Sequence, residues 1–112
     1  MQKPTIVALP GDGIGRAVLE EAIRVLDHAG FAAEYIESDI GWEFWRKEGD
    51  PLPERTISLL EKHRIGLFGA ITSKPKDAAA EELAPALRGK GLVYSSPIVG
   101  LRQHFNLDVC IR

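Results

Sequence analysis

Ser95-Ser96-Pro97 heads an apolar run in which Arg102 follows Ser95 by seven residues. Proline is tolerated at the first helical position, so a helix starting here sets Ser95 and Arg102 about two turns apart, on one side. Free N–H groups at a helix start, two hydroxyls and a guanidinium together suit a carboxylate or a phosphate. Arg112, at the end of the next apolar stretch, could add a second bidentate donor. Taken singly, Ser96 reads as an ordinary N-cap and either arginine as a solvated charge, so both readings stand at this point.

Gly11-Asp12-Gly13-Ile14-Gly15 is a second candidate, because glycines before a helix let phosphates reach its N-terminus. The dinucleotide fingerprint fails at its sixth position, where Arg16 replaces glycine or alanine, and nothing else supports Glu34 or Glu37 as a ribose ligand. The Gly-Lys-Ser/Thr ending of a phosphate-binding P-loop is missing too. His28, His63 and His104 show no ligand spacing and read as surface or helix-end residues, which leaves no metal site in the segment. Cys110, in an apolar stretch, reads as inert core; a single cysteine excludes an internal disulfide and fits a reducing compartment. No serine, histidine and acid set forms a triad, and no catalytic acid or base has an evident partner.

These residues need elements to hold them. Thr5 to Leu9 reads as a buried strand ending at Pro10-Gly11. A helix follows, with Ile14, Val18, Ala22, Val25, Leu26 and Ala29 on its apolar side and Gly30 as its stop. Phe31 to Ile36 reads as a second strand, parallel to the first through a right-handed crossover. Trp42 to Lys47 reads as a short helix with Trp42 and Trp45 on one face, where packing is favoured over stacking on a ligand, and Asp50-Pro51-Leu52-Pro53 opens another that runs to about His63. Ile65 to Ile71 is expected to be a buried strand, its two glycines marking a close approach by a backbone or ligand, and Thr72 to Lys76 the loop after it. A mobile surface excursion is expected over 75–91. Then comes a helix from Ser96 burying Ile98, Leu101 and Phe105, and a last strand over Leu107 to Ile111.

The fold class expected is α/β: one segment, 1–112, with a partly parallel sheet and flanking helices. At 112 residues, 45% hydrophobic and 27% charged, the chain can bury one core. Fourteen Lys plus Arg against 16 Asp plus Glu give a net charge of -2, which argues against nucleic-acid or anionic-membrane partners. The absence of a signal-peptide pattern at Met1-Gln2-Lys3-Pro4 suggests a cytoplasmic location. An apolar strand ending on an arginine makes Arg112 the expected point of a truncation.

Leu9-Pro10-Gly11-Asp12-Gly13-Ile14-Gly15 resembles the N-terminal signature of the β-decarboxylating dehydrogenases, the isocitrate, isopropylmalate and homoisocitrate dehydrogenase family. Leu52-Pro53-Glu54, Leu67-Phe68-Gly69-Ala70-Ile71-Thr72-Ser73, Tyr94 to Arg102 and Ile111-Arg112 follow in the family's order and approximate spacing. The resemblance spans the chain and covers only the N-terminal part of such an enzyme. It implies an incomplete portion of that family's fold.

What the resemblance implies is oxidation of a 3-substituted malate at C2 by hydride transfer to NAD or NADP, then loss of the C3 carboxylate with help from Mg or Mn. Arg102 and Arg112 resemble arginines that clamp the malate carboxylates. Ser96 matches a substrate-contacting position, and Ser95 and Ile98 sit where the C3 substituent is chosen. Thr72 resembles a residue of the loop beside the nicotinamide and Ile14 a turn residue near the cofactor. The family's catalytic tyrosine and lysine, its metal-binding aspartates and most of its cofactor pocket would lie beyond Arg112. The chain alone should then be inactive, and the full-length protein a homodimer. Arg16-Ala17 departs from the family's Pro-Glu, which implies altered helix-start packing. The Tyr-Ser-Ser-Pro-Ile run resembles homoisocitrate and some isopropylmalate enzymes while Cys110 resembles isocitrate enzymes, so the resemblance implies a substrate class and no one member. A free-standing α/β module that binds carboxylates or a protein partner without catalysis is the alternative from another class.

Overall fold

The computed structural model describes residues 3–111. Thr5–Gly11 forms β1, Gly15–His28 α1, Glu34–Glu37 β2, Trp42–Glu48 α2, Glu54–His63 α3 and Gly66–Ala70 β3. Lys76–Glu81 is α4, Pro85–Leu87 a 3-10 turn and Pro97–His104 α5. The three strands make one parallel sheet in the order β2-β1-β3. Thr5 pairs with Glu34 on one side of β1, and Val7 with Gly66 on the other. Strands β2 and β3 flank β1, so right-handed crossovers send α1 and α3 to opposite faces of the sheet. The expected α/β class with a parallel sheet is what the chain forms.

β1 is buried from Ile6 to Leu9 because both faces are covered. Alternation turns Val7 and Leu9 toward α3, where they meet Ile40, Leu52 and Leu60, with Ile57, Leu101 and Phe105 packed alongside. The expected stop of α1 at Gly30 is present in full. Gly30 lies at φ 85°, its N–H donates to Asp27 O at 3.0 Å, and the Phe31 N–H donates to Leu26 O at 2.9 Å. Those two bonds satisfy carbonyls that a helix end would leave open.

A second core joins Trp42, Trp45, Ala79, Leu83 and Tyr94, so α4 is held against α2 by buried Ala79 and Leu83. Tyr94 meets both tryptophans edge-on, with centroids 4.9 Å and 5.5 Å away, and Trp45 Nε1 donates to Ala79 O at 2.8 Å. The tryptophans pack, as expected.

Four expectations need correction. The α1 stripe of Ile14, Val18 and Val25 faces outward, at 74%, 51% and 67% exposure, and the helix buries Gly15 and Leu19 instead. Glycine carries no apolar signal, yet backbone contact at Gly15 decides which side packs. Ile65 to Ile71 is an edge strand rather than a fully buried one, with Ile65 and Phe68 exposed, because β3 pairs on one side only. Leu107 to Ile111 forms no strand, having no neighbour among the described residues to share a ladder, and Val109 and Ile111 are 77% and 91% exposed. Cys110 is accordingly exposed, not core.

Candidate functional site

Parallel α/β sheets bind ligands beyond the carboxyl ends of their strands, at the point where neighbouring connections part to opposite sides. In the order β2-β1-β3 that point lies between β1 and β3. The glycine turn leaves β1 there, and the Thr72 loop leaves β3. Their approach is close: a Cβ on Gly11 would lie 1.8 Å from Ala70 O, so only glycine fits at a residue that also has φ 76°.

Asp12 ties the two segments together. Its N–H donates to Ala70 O at 2.7 Å, and its Oδ2 accepts the Thr72 N–H at 3.0 Å. The same oxygen accepts the Trp42 N–H at 2.7 Å, while Oδ1 accepts the Glu43 N–H at 3.3 Å. Helix α2 begins after Gly41 with no side-chain cap of its own, so a carboxylate thirty residues earlier satisfies its first free donors. Gly41 stands at φ 120°, and a Cβ there would lie 2.5 Å from Asp12 Oδ2. Sequence reasoning missed Asp12 and Gly41. The available signal was a glycine in the N-cap place of an aromatic helix, which calls for an acceptor from elsewhere.

Ile14 and Thr72, the two expected cofactor-side residues, are thus on adjoining segments, and both are exposed. Beyond Thr72, Lys74 Nζ pairs with Glu82 Oε1 at 2.5 Å and lies 5.4 Å from the Trp42 ring centroid. Glu82 also accepts from Trp42 Nε1. The Lys74 bond, then the Trp42 one, holds the Glu82 carboxyl below its ordinary range. Glu37, considered as a ribose ligand, instead receives both Arg16 nitrogens, at 3.0 Å and 2.5 Å, and that bond lowers its carboxyl as well.

Of the expected substrate-side residues, Ser95 and Ser96 lie at the entry to α5 and Ile98 and Arg102 within it. Ser96 is its N-cap and Pro97 its first residue, although the Ser96 hydroxyl makes no capping bond. Ser95 is exposed and Ser96 and Ile98 are half-buried. Tyr94, just before them, is fixed by the tryptophan cluster, so α2 positions the entry to α5 as well as the end of β1. Arg102 is exposed in the last turn of α5 and has no ion-pair partner among the described residues. Arg112 lies outside the described residues. Among the described residues, no hydrogen bond or ion pair joins Arg102 to the Asp12 assembly. Among the described residues, no three His, Cys, Asp or Glu side chains come together to hold a metal ion.

The model of one family, described as isocitrate/isopropylmalate dehydrogenase, matches residues 5–112. The chain belongs to that family. It is 38% identical over 107 residues to the homoisocitrate dehydrogenase of Methanocaldococcus jannaschii, covering 96% of this chain and 27% of that one. It is 43% identical to Protein DlpA of Legionella pneumophila, covering 96% of this chain and 17% of the relative. Among solved structures, the TT0538 protein of Thermus thermophilus superposes with a TM-score of 0.69 at 26% identity, over 91% of this chain and 18% of that one. The dehydrogenase family fold therefore extends across this segment, which spans about a sixth to a quarter of the two curated relatives.

Proposed function

We propose that this chain supplies the N-terminal part of an NAD(P)-dependent oxidative decarboxylase of a 3-substituted malate. The observation that carries the reading is the meeting of the glycine turn and the Thr72 loop on Asp12, at the carboxyl ends of β1 and β3, where an α/β sheet takes its ligand. Gly13 has open space where a Cβ would stand, and Ile14 is exposed beside it, so a flat apolar ring edge fits against the turn. Ile14 and Thr72 would border the nicotinamide, whose chemistry is to accept a hydride from C2.

Arg102 and Arg112 would hold the substrate carboxylates. A guanidinium keeps its charge at any working pH and forms paired bonds to a carboxylate, so it orients the substrate without competing for its protons. The free N–H groups at the start of α5 add partial positive charge beside Ser95 and Ser96. Ile98 would touch the C3 substituent and help choose among isocitrate, homoisocitrate and 3-isopropylmalate. A Mg or Mn ion would polarise the C2 oxygen, with its ligands drawn from outside the described residues. The full-length protein would be a homodimer acting on a small molecule.

The test is an amide-resolved magnetic resonance titration of these residues, labelled segmentally within a chimera in which residues 5–112 replace the matching segment of the M. jannaschii homoisocitrate dehydrogenase. Millimolar 3-isopropylmalate or isocitrate should move the Ser95, Ser96 and Arg102 signals, and NADH or NADPH those of Ile14 and Thr72. A chain whose signals at these five residues ignore all four ligands would overturn the reading.

A further inference from the structure

We propose that Asp12 is a positioning residue that sets the gap between the glycine turn and the Thr72 loop, and with it the width of the crevice offered to the nicotinamide. The inference rests on Ile14 and Thr72 being the cofactor-side residues, and it names the group that places them. Three backbone donors from two distant segments converge on one carboxylate: Trp42 and Thr72 on Oδ2, Glu43 on Oδ1. Hydrogen bonds to an ionised acceptor are shorter and stronger than neutral ones, so Asp12 fixes each donor more firmly than a serine or asparagine cap would.

The arrangement has little slack. The Asp12 N–H is itself held by Ala70 O, and Gly15 N donates back to Asp12 O at 2.9 Å, so the carboxylate leaves a backbone pinned at both ends. Gly41 admits that carboxylate only because it has no Cβ. The far side of the loop is tethered through Lys74 to Glu82, and Glu82 in turn to the Trp42 indole. Thr72 therefore lies between two anchors that share Trp42: Asp12, which accepts the Thr72 and Trp42 backbone N–H groups, and Glu82, which holds Lys74 and accepts from the Trp42 indole. A shift of Asp12 would move turn, loop and helix start together. Asp12 touches neither reacting atom nor hydride in this account; its effect passes through Ile14 and Thr72.

Amide hydrogen exchange on the 112-residue chain tests this without any ligand. In Asp12→Ala, exchange at Thr72, Trp42 and Glu43 should rise about tenfold or more, as expected for losing a charged acceptor, while the β1 amides of Val7 and Leu9 hold. In Asp12→Asn the carboxamide oxygen can take the Oδ2 place without its charge, so Thr72 and Trp42 should exchange faster than in the parent but more slowly than in the alanine variant, and Glu43, facing the amide nitrogen, should exchange as it does in the alanine variant. Unchanged exchange at Thr72 in the alanine variant, or an equal rise throughout β1, would overturn the proposal. Should the alanine variant not fold, the wild-type scalar coupling from the Asp12 carboxylate carbon to the Thr72 and Trp42 nitrogens decides, its absence being the negative result. An NADH titration of wild type and variant, each carried within the chimera described above, separates the two readings. No response at Ile14 and Thr72 in the wild type removes the cofactor reading and leaves the exchange result intact, whereas equal responses in wild type and alanine variant remove the positioning role alone.

Discussion

Gly69 and Gly15 touch backbone to backbone: a Cβ on Gly69 would lie 2.5 Å from Gly15 O and 2.4 Å from Pro10 O. From the other side, a Cβ on Gly15 would lie 2.1 Å from Pro10 O and 2.7 Å from Ala70 N. Neither glycine has positive φ, so what the site needs from them is space. This contact lets α1 sit down on β1 and β3 and brings the glycine turn to the end of β3. Gly15→Ala and Gly69→Ala should each cost about 2–3 kcal/mol, read as a lower urea midpoint, because backbone must move to make room. Gly13→Ala, at φ 54° with open space around it, should cost only about 1 kcal/mol. Equal effects at Gly13 and Gly69 would refute the packing argument.

Tyr94 offers a separation of ring from hydroxyl. Its ring is wedged against Trp42 and Trp45, and its hydroxyl is buried without a hydrogen-bond partner among the described residues. Removing an unpaired buried hydroxyl costs nothing in lost bonds, so Tyr94→Phe should be neutral or slightly stabilising in thermal unfolding. Tyr94→Ala should lose about 3–5 kcal/mol and broaden the tryptophan environment seen by fluorescence. A phenylalanine variant as weak as the alanine one would show that the hydroxyl has a role.

Thr56, wholly buried in α3, links to Ser38 Oγ at 2.9 Å and donates to Asp39 O at 2.6 Å. Thr56→Val keeps the shape and removes both bonds, leaving the Ser38 hydroxyl buried and short of a partner. The expected loss is about 1–3 kcal/mol, restored largely by Thr56→Ser, as measured by denaturant unfolding.

Acid should weaken the fold through Glu37 and Glu82. Both carboxyls are held below the ordinary 4.5, chiefly by Arg16 and Lys74 respectively. The folded chain therefore binds fewer protons than the unfolded one near that pH. Their contribution is complete above 4.5 and is lost as the pH falls through the lowered values. Urea midpoints taken from neutral pH downward should fall less steeply in a Glu37→Gln, Glu82→Gln double variant. An identical acid slope in the two proteins would contradict this.

Local signals were legible and distant ones were not. Pro53 before α3 and Gly30 after α1 announce helix ends because their chemistry acts within a few residues. The start of α5 was readable for the same reason: Ser96 and Pro97 mark a helix start in any context. The apolar stripe of Ile14, Val18 and Val25 misled, since hydrophobic spacing ignores a glycine that packs by having no side chain. Leu107 to Ile111 has strand composition, but composition supplies no neighbouring strand. Asp12 stayed hidden because its partners are main-chain N–H groups thirty and sixty residues away, which every residue but proline possesses.

The central claim, that this segment contributes the carboxylate-holding and cofactor-side parts of a decarboxylating dehydrogenase, is tested most directly by a graft. Residues 5–112 would replace the matching segment of the M. jannaschii homoisocitrate dehydrogenase, and kcat/KM would be measured with each 3-substituted malate and each nicotinamide cofactor. The account predicts an active chimera in which Arg102→Ala lowers kcat/KM by about 100-fold or more, while Arg24→Ala on the outer face of α1 leaves it unchanged. A folded chimera with no dehydrogenase activity, or one in which Arg102→Ala is as active as its parent, would contradict it.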